Sequence, residues 1–178
     1  MSKNILVLSS SPRKGGNSDL LCDEFLRGAR AAGHDGEKIR LSEKNINYCT
    51  GCCACISQRG ACVQRDDMAE IHEKLLACDV MVLATPVYFH SMNGQLKTLI
   101  DRVCPIYTML KDKDVYFVVA AAGGETLIER TAQSLRVFTD CLENIREKGV
   151  ISVTGVWDVG QVKKTEAMYQ AYRFGKGV

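Results

Sequence analysis

A chain of 178 residues, 46% apolar and 25% charged, has the size and balance of one ordinary globular domain, which excludes a disordered chain and removes any need for disulfides to fold it. Its 23 basic and 21 acidic side chains leave a net charge of +2 with the signs interspersed, so there is no basic arm for nucleic acid and no acidic tail. The apolar run Ile5 to Leu8 is too short for a signal-peptide core and no apolar stretch approaches bilayer length, so a cytoplasmic protein without nucleic-acid or membrane partners is expected.

Apolar runs and amphipathic stretches then alternate along the chain. Asn4 to Ser9 suits a buried parallel strand, and Ser18 to Ala32 a helix with Leu21, Phe25 and Ala29 at four-residue spacing. Glu37 to Leu41 reads as a second, more polar strand at an edge. Asp66 is the expected N-cap of a helix whose apolar face is Met68, Ile71 and Leu75. Val80 to Ala84 is the third strand, and Leu96, Leu99, Ile100 and Val103 mark the next helix face. Val115 to Ala121 is the fourth strand, Leu135, Phe138, Leu142 and Ile145 a long fourth helix, and Ile151 to Val156 the fifth strand. Thr165 to Phe174 closes the chain as a helix. Five strands separated by helices predict an α/β fold, a doubly wound parallel sheet in a single domain over 1–178.

Such sheets bind ligands beyond the carboxyl ends of their strands, so the loops there are the candidate site. The loop Ser9 to Ser18 (SSSPRKGGNS) offers hydroxyls, an amide, Arg13 and two glycines ahead of a helix N-terminus, which suits a phosphate; the alternative is a polar turn with Ser18 as N-cap. Neither a dinucleotide glycine fingerprint nor a P-loop is present. Thr85 to Gly94 sets aromatic side chains directly after a core strand, placed to line a flat ring or to pack on a neighbouring subunit, with Asn93 a candidate helix cap. His90 reads as a surface residue. Ala121 to Glu125 has small residues that let a ligand approach the backbone, or form a plain turn.

Together these loops resemble the NAD(P)H-dependent FMN reductase group of flavodoxin-like proteins. SSSPRKGGNS is similar to its phosphate loop, TPVYFHS with GQLKTLIDR to its isoalloxazine loop and following helix, and AAAGGE to its third flavin loop. The resemblance implies a five-stranded sheet in the order 2-1-3-4-5. It assigns Ser9, Ser11, Arg13, Asn17 and Ser18 to the FMN phosphate, and Pro86, Val87, Tyr88, Phe89 and Ser91, with Gly123 and Gly124, to the ring. Ser10 departs from the group's usual glycine. The implied function is an FMN-dependent oxidoreductase taking electrons from NAD(P)H or a protein donor to an unidentified acceptor, in a homodimer or homotetramer. No side chain is assigned as catalytic acid, base or nucleophile, because the flavin carries the chemistry. The alternative is a non-enzymatic electron carrier.

Nine cysteines are present, and five of them crowd into the loop at 48–63. Cys49, Cys52, Cys55 and Cys62 have the spacing C-x2-C-x2-C-x6-C when Cys53 is skipped, and such tight thiolate spacing can wrap a [4Fe-4S] cluster. The loop resembles the compact motif of the iron–sulfur flavoprotein branch of the same group. Free or redox-active thiols and a zinc site are the competing readings. Cys22, Cys78, Cys104 and Cys141 are expected to serve as small buried hydrophobes.

Overall fold

The structure is a computed structural model that describes residues 1–57 and 60–178; Gln58 and Arg59, within the cysteine-rich loop at 48–63, lie outside the described residues. Strands β1 (Asn4–Ser9), β2 (Asp35–Arg40), β3 (Val80–Tyr88), β5 (Asp114–Ala120) and β6 (Arg146–Val153) form one parallel sheet in the order β2-β1-β3-β5-β6. These five strands keep the expected order 2-1-3-4-5. A sixth strand was not expected: β4 (Ser91–Met92) folds back antiparallel on the end of β3, pairing Val87 with Met92 and Tyr88 with Ser91. Phe89 and His90 make this possible by both adopting left-handed φ, 47° and 66°.

Alternate strand residues feed two cores. Leu6, Leu8, Met81, Leu83, Val115 and Phe117 meet Met68, Ile71 and Leu75 of α3 (Met68–Ala77), Leu96 and Leu99 of α4 (Gly94–Arg102) and Leu135 of α5 (Glu125–Thr139); α3 follows the one-turn helix α2 (Ala54–Ser57) of the cysteine loop. Ile5, Val7, Val80, Val82, Tyr116 and Val118 meet Leu21 and Phe25 of α1 (Asn17–Ala31) and Ala171 of α6 (Ala167–Lys176). Burial on both faces explains why these strands are apolar runs rather than alternating ones. Each large side chain so buried contributes about 1.5–3 kcal/mol. Helices α1 and α6 lie backbone against backbone, since a Cβ on Gly28 would collide with the Tyr172 carbonyl and one on Gly175 with the Phe25 carbonyl.

Several boundaries differ from expectation. Helix α5 stops at Thr139, so Leu142 and Ile145 lie beyond it, although Leu142 is still buried in the same core and Ile145 packs on it. Their spacing signalled burial, not helix. Asn144, at left-handed φ 52°, turns the chain into β6, which begins at Arg146 rather than Ile151. The N-cap position of α3 falls on Asp67, but Asp66 Oδ1 accepts the Met68 N–H at 3.2 Å. Cys22 and Cys78 are buried as expected, and burial pushes the Cys78 thiol up to about 11. Cys104 and Cys141 are exposed instead, because α4 and α5 end before reaching them. Among the described residues no helix is long and apolar enough to cross a membrane.

Candidate functional site

At the carboxyl edge of the sheet lies a cleft of ≈ 510 Å³, within the range of small-ligand sites. The loop after β1 supplies Ser11, Arg13 and Gly16, and the first turn of α1 supplies Asn17 and Ser18. The end of β3 and its hairpin supply Pro86, Val87, Tyr88 and Phe89. Ala120 and Ala122 come from the end of β5, and Val156, Trp157 and Val159 from the segment after β6.

The first loop is held from below. Ser10 donates to the Ala84 carbonyl through both its N–H (3.0 Å) and its hydroxyl (2.7 Å), and it does not take left-handed φ, so serine replaces the usual glycine without strain. Fully buried Asn93 donates through Nδ2 to the Ser10 carbonyl (2.7 Å) and caps α4 by accepting from Leu96 N–H (3.3 Å), as expected. Gly16 precedes α1 with no side-chain cap, and a Cβ there would stand 2.5 Å from Ser11 Oγ. The first-turn amides of α1 therefore face the cleft side of the loop without a capping side chain.

Beside them the Ser18 hydroxyl is buried and has no hydrogen-bond partner. An orphaned hydroxyl at an uncapped helix N-terminus, in a cleft also lined by Arg13, is a cradle of the kind a phosphate fills. The site fits FMN on that observation, with the aromatic wall of Tyr88, Phe89 and Trp157 available to a flat ring.

Not every expected residue reaches the cleft. Ser9 donates its hydroxyl to buried Asp19 Oδ1 at 2.8 Å and does not line it. Burial pushes the Asp19 carboxyl up, but hydrogen bonds from Ser9 and Lys38, the Lys38 charge and the Gly15 N–H outweigh it and leave it below its ordinary value. Asp19 therefore stays charged and anchors the loop through Gly15. Ser91, Gly123 and Gly124 also lie outside the lining: Ser91 is spent in the hairpin, and Gly124 caps α5. Arg13 and Asn17 line the cleft but are also tied to the loop after β6. Arg13 Nη1 donates to the Trp157 carbonyl (2.8 Å), and Asn17 bridges the Asp158 carbonyl (3.0 Å) and the Val162 N–H (3.1 Å). That loop, with Trp157 and Val159, went unrecognised in the sequence; the single tryptophan just past the last strand was the available signal.

The cysteine loop forms a second, smaller hollow of ≈ 30 Å³, lined by Cys49, Cys52, Cys53, Cys55 and Cys62 together with Arg102 and Cys104. Arg102, fully buried on α4, clamps both ends of the loop. It holds Asp66 bidentately at 2.7 and 2.9 Å, donates to the Asn47 carbonyl at 2.6 Å, and reaches Cys62 Sγ at 3.6 Å. Burial pushes Asp66 up, but Arg102 and the amides of Asn47 and Met68 hold it down at about 2. Cys52 is drawn below its ordinary value by the Ala54 amide and the Thr50 hydroxyl. Donor type and number suit a cluster, but the arrangement does not. Among the described residues no three cysteine, histidine or carboxylate side chains stand close enough to share a metal ion.

Comparison with known proteins agrees with this geometry. Residues 3–149 match the family described as NADPH-dependent FMN reductase. An iron–sulfur flavoprotein of Archaeoglobus fulgidus is 45% identical over 53% of this chain and 43% of its own length. One of Methanocaldococcus jannaschii is 39% identical over 75% of this chain and 70% of its own. The chain thus spans less than half of the first relative and about two-thirds of the second. The solved NAD(P)H:quinone oxidoreductase of Methanothermobacter marburgensis shares the fold, with TM-score 0.75 at 18% identity over 99% of this chain and 96% of that one. With the match running from β1 into β6 and covering all but the last of the cleft-forming segments, the chain belongs to the NADPH-dependent FMN reductase family.

Proposed function

We propose that the protein is an FMN-dependent oxidoreductase that takes electrons from NAD(P)H or a protein donor. The observation that carries this is the cradle at the start of α1, where the buried Ser18 hydroxyl and the uncapped first turn lie unpartnered at one end of the cleft. FMN, when bound, would supply hydride and electron exchange at its ring. The chain's own residues do the rest. Ser11, Ser18 and the α1 amides would hold the phosphate, and Arg13 would add charge from a side chain that its bond to Trp157 already orients. Tyr88, Phe89 and Trp157 would border the ring and keep water from it, and Ala120 and Ala122 leave the backbone open to its approach. Asp19 and Asn93 would position the loop without touching the flavin.

Six thiols on one hollow, in a chain whose relatives are named iron–sulfur flavoproteins, favour a metal-competent loop with Cys49, Cys52, Cys55 and Cys62 as ligands. Binding a cluster would require the loop to draw these sulfurs inward, and no electron path is assigned through it. The exposed Tyr88, Phe89 and Trp157 at the cleft mouth support a homodimer or homotetramer. The test is extraction of the cofactor from purified protein for mass analysis, followed by anaerobic NADH and NADPH oxidation with a small acceptor. FMN with turnover is expected. FAD or no flavin would overturn the assignment, and FMN without turnover would make the protein an electron carrier.

A further inference from the structure

Cys104 belongs to no motif in the sequence, yet its Sγ lies 3.8 Å from Cys55 Sγ, with Cys55 as donor. Among the described residues this is the one thiol–thiol hydrogen bond. The approach of the two segments is fixed at neighbouring points. A Cβ on Gly60 would stand 2.9 Å from the Pro105 carbonyl, and Arg102, two residues before Cys104, reaches Cys62 from within its buried pair with Asp66. Cys104 is exposed and Cys55 half-buried, so small reagents can reach both. Sulfur atoms at this separation must close by somewhat under about 2 Å to bond, a movement within the reach of side-chain rotation.

We propose that Cys55 and Cys104 form a reversible dithiol–disulfide site, closed by low-molecular-weight disulfides and reopened by thiols. The site stands on this geometry alone; its consequence, that closure withdraws Cys55 from the metal-competent set, rests on the metal reading given above. Closure is a double exchange. The Cys55 thiolate attacks one sulfur of the small disulfide, forming a mixed disulfide and expelling a thiolate. Cys104, having lost its proton, then attacks Cys55 Sγ, closing the protein disulfide and expelling the second thiolate. Two protein thiols give up two electrons and two protons, and the small disulfide receives them as two thiols.

The experiment uses the full chain with its flavin, reduced, freed of iron by chelation, and incubated anaerobically with glutathione disulfide. Remaining thiols are blocked and cross-linked peptides are mapped by mass spectrometry. The expected result is a dominant Cys55–Cys104 link, a loss of about two free thiols per chain that dithiothreitol reverses, and neither change in Cys104→Ser. Linkage of Cys55 to Cys49, Cys52, Cys53 or Cys62 instead, or equal thiol loss in Cys104→Ser, overturns the proposal. Iron and sulfide uptake, measured in parallel, separates the two readings. Disulfide-treated wild type should load several-fold less than reduced wild type, with Cys104→Ser nearly indifferent to the treatment. If reduced wild type fails to load, the metal reading falls while the peptide map still decides the disulfide.

Discussion

Replacing Ser18 with alanine should move stability and cofactor affinity in opposite directions. The hydroxyl is buried without a partner, so the flavin-free chain carries its desolvation penalty, roughly 1–3 kcal/mol for an unsatisfied group. Ser18→Ala removes that burden, and the flavin-free chain should be as stable as wild type or more so. With FMN bound, the same hydroxyl would donate to a charged phosphate oxygen, a bond worth about 1.5–3 kcal/mol, so the Kd for FMN should rise roughly tenfold to a hundredfold. Riboflavin has no phosphate and its Kd should stay within about twofold. Urea midpoints of the flavin-free chain and titrations that follow flavin fluorescence measure the three quantities. Equal weakening of FMN and riboflavin, or a flavin-free variant clearly less stable than wild type, would refute the reasoning.

Asn17→Ala should behave differently, because its amide bridges Asp158 and Val162 and so holds the Trp157 wall: FMN and riboflavin should weaken alike in the same titration. Asp66, with a fully buried side chain, is held at about 2 against an ordinary 3.8, so its contribution is complete above about pH 4 and is lost as pH falls through 2. That contribution is of order 2 kcal/mol, and acid-unfolding curves of Asp66→Asn should be less stable at neutral pH and flatter across that window. Under anaerobic reconstitution, serine at Cys49, Cys52, Cys55 or Cys62 should sharply reduce bound iron and sulfide, while Cys53→Ser leaves both nearly unchanged; loss on Cys53→Ser alone would show that the spacing argument chose the wrong set.

The sheet was legible because each central strand is buried on both faces, which writes it into the chain as an unbroken apolar run such as VMVLA at 80–84. The same signal misled at Leu142 and Ile145, where apolar spacing continues past the helix because a turn, not a helix, delivers those side chains to the core. Loops after β1 and β3 could be found by their composition. The segment after β6 left only its single tryptophan as a signal, since Trp157 and Val159 are held at the cleft through bonds from Arg13 and Asn17, which lie far away along the chain. Ser9 was misplaced for a related reason: a hydroxyl beside a phosphate-type loop is drawn off by Asp19, a partner that becomes visible only when β1, β2 and α1 are assembled. Cys104 joined the cysteine loop by tertiary proximity alone.

The contact between α1 and α6 also bears on when the proposed cofactor could be taken up. The proposed phosphate cradle is the first turn of α1, yet the helix is seated by α6, whose Gly175 lies against Phe25 and whose Tyr172 carbonyl lies against Gly28. During synthesis α1 leaves the ribosome long before α6, so that seat does not exist until α6 has followed, and the Trp157 wall arrives only shortly before it. On the proposed reading, flavin capture therefore has to follow the emergence of α6, and a ribosome stalled before α6 would display a cradle not yet seated to hold a phosphate.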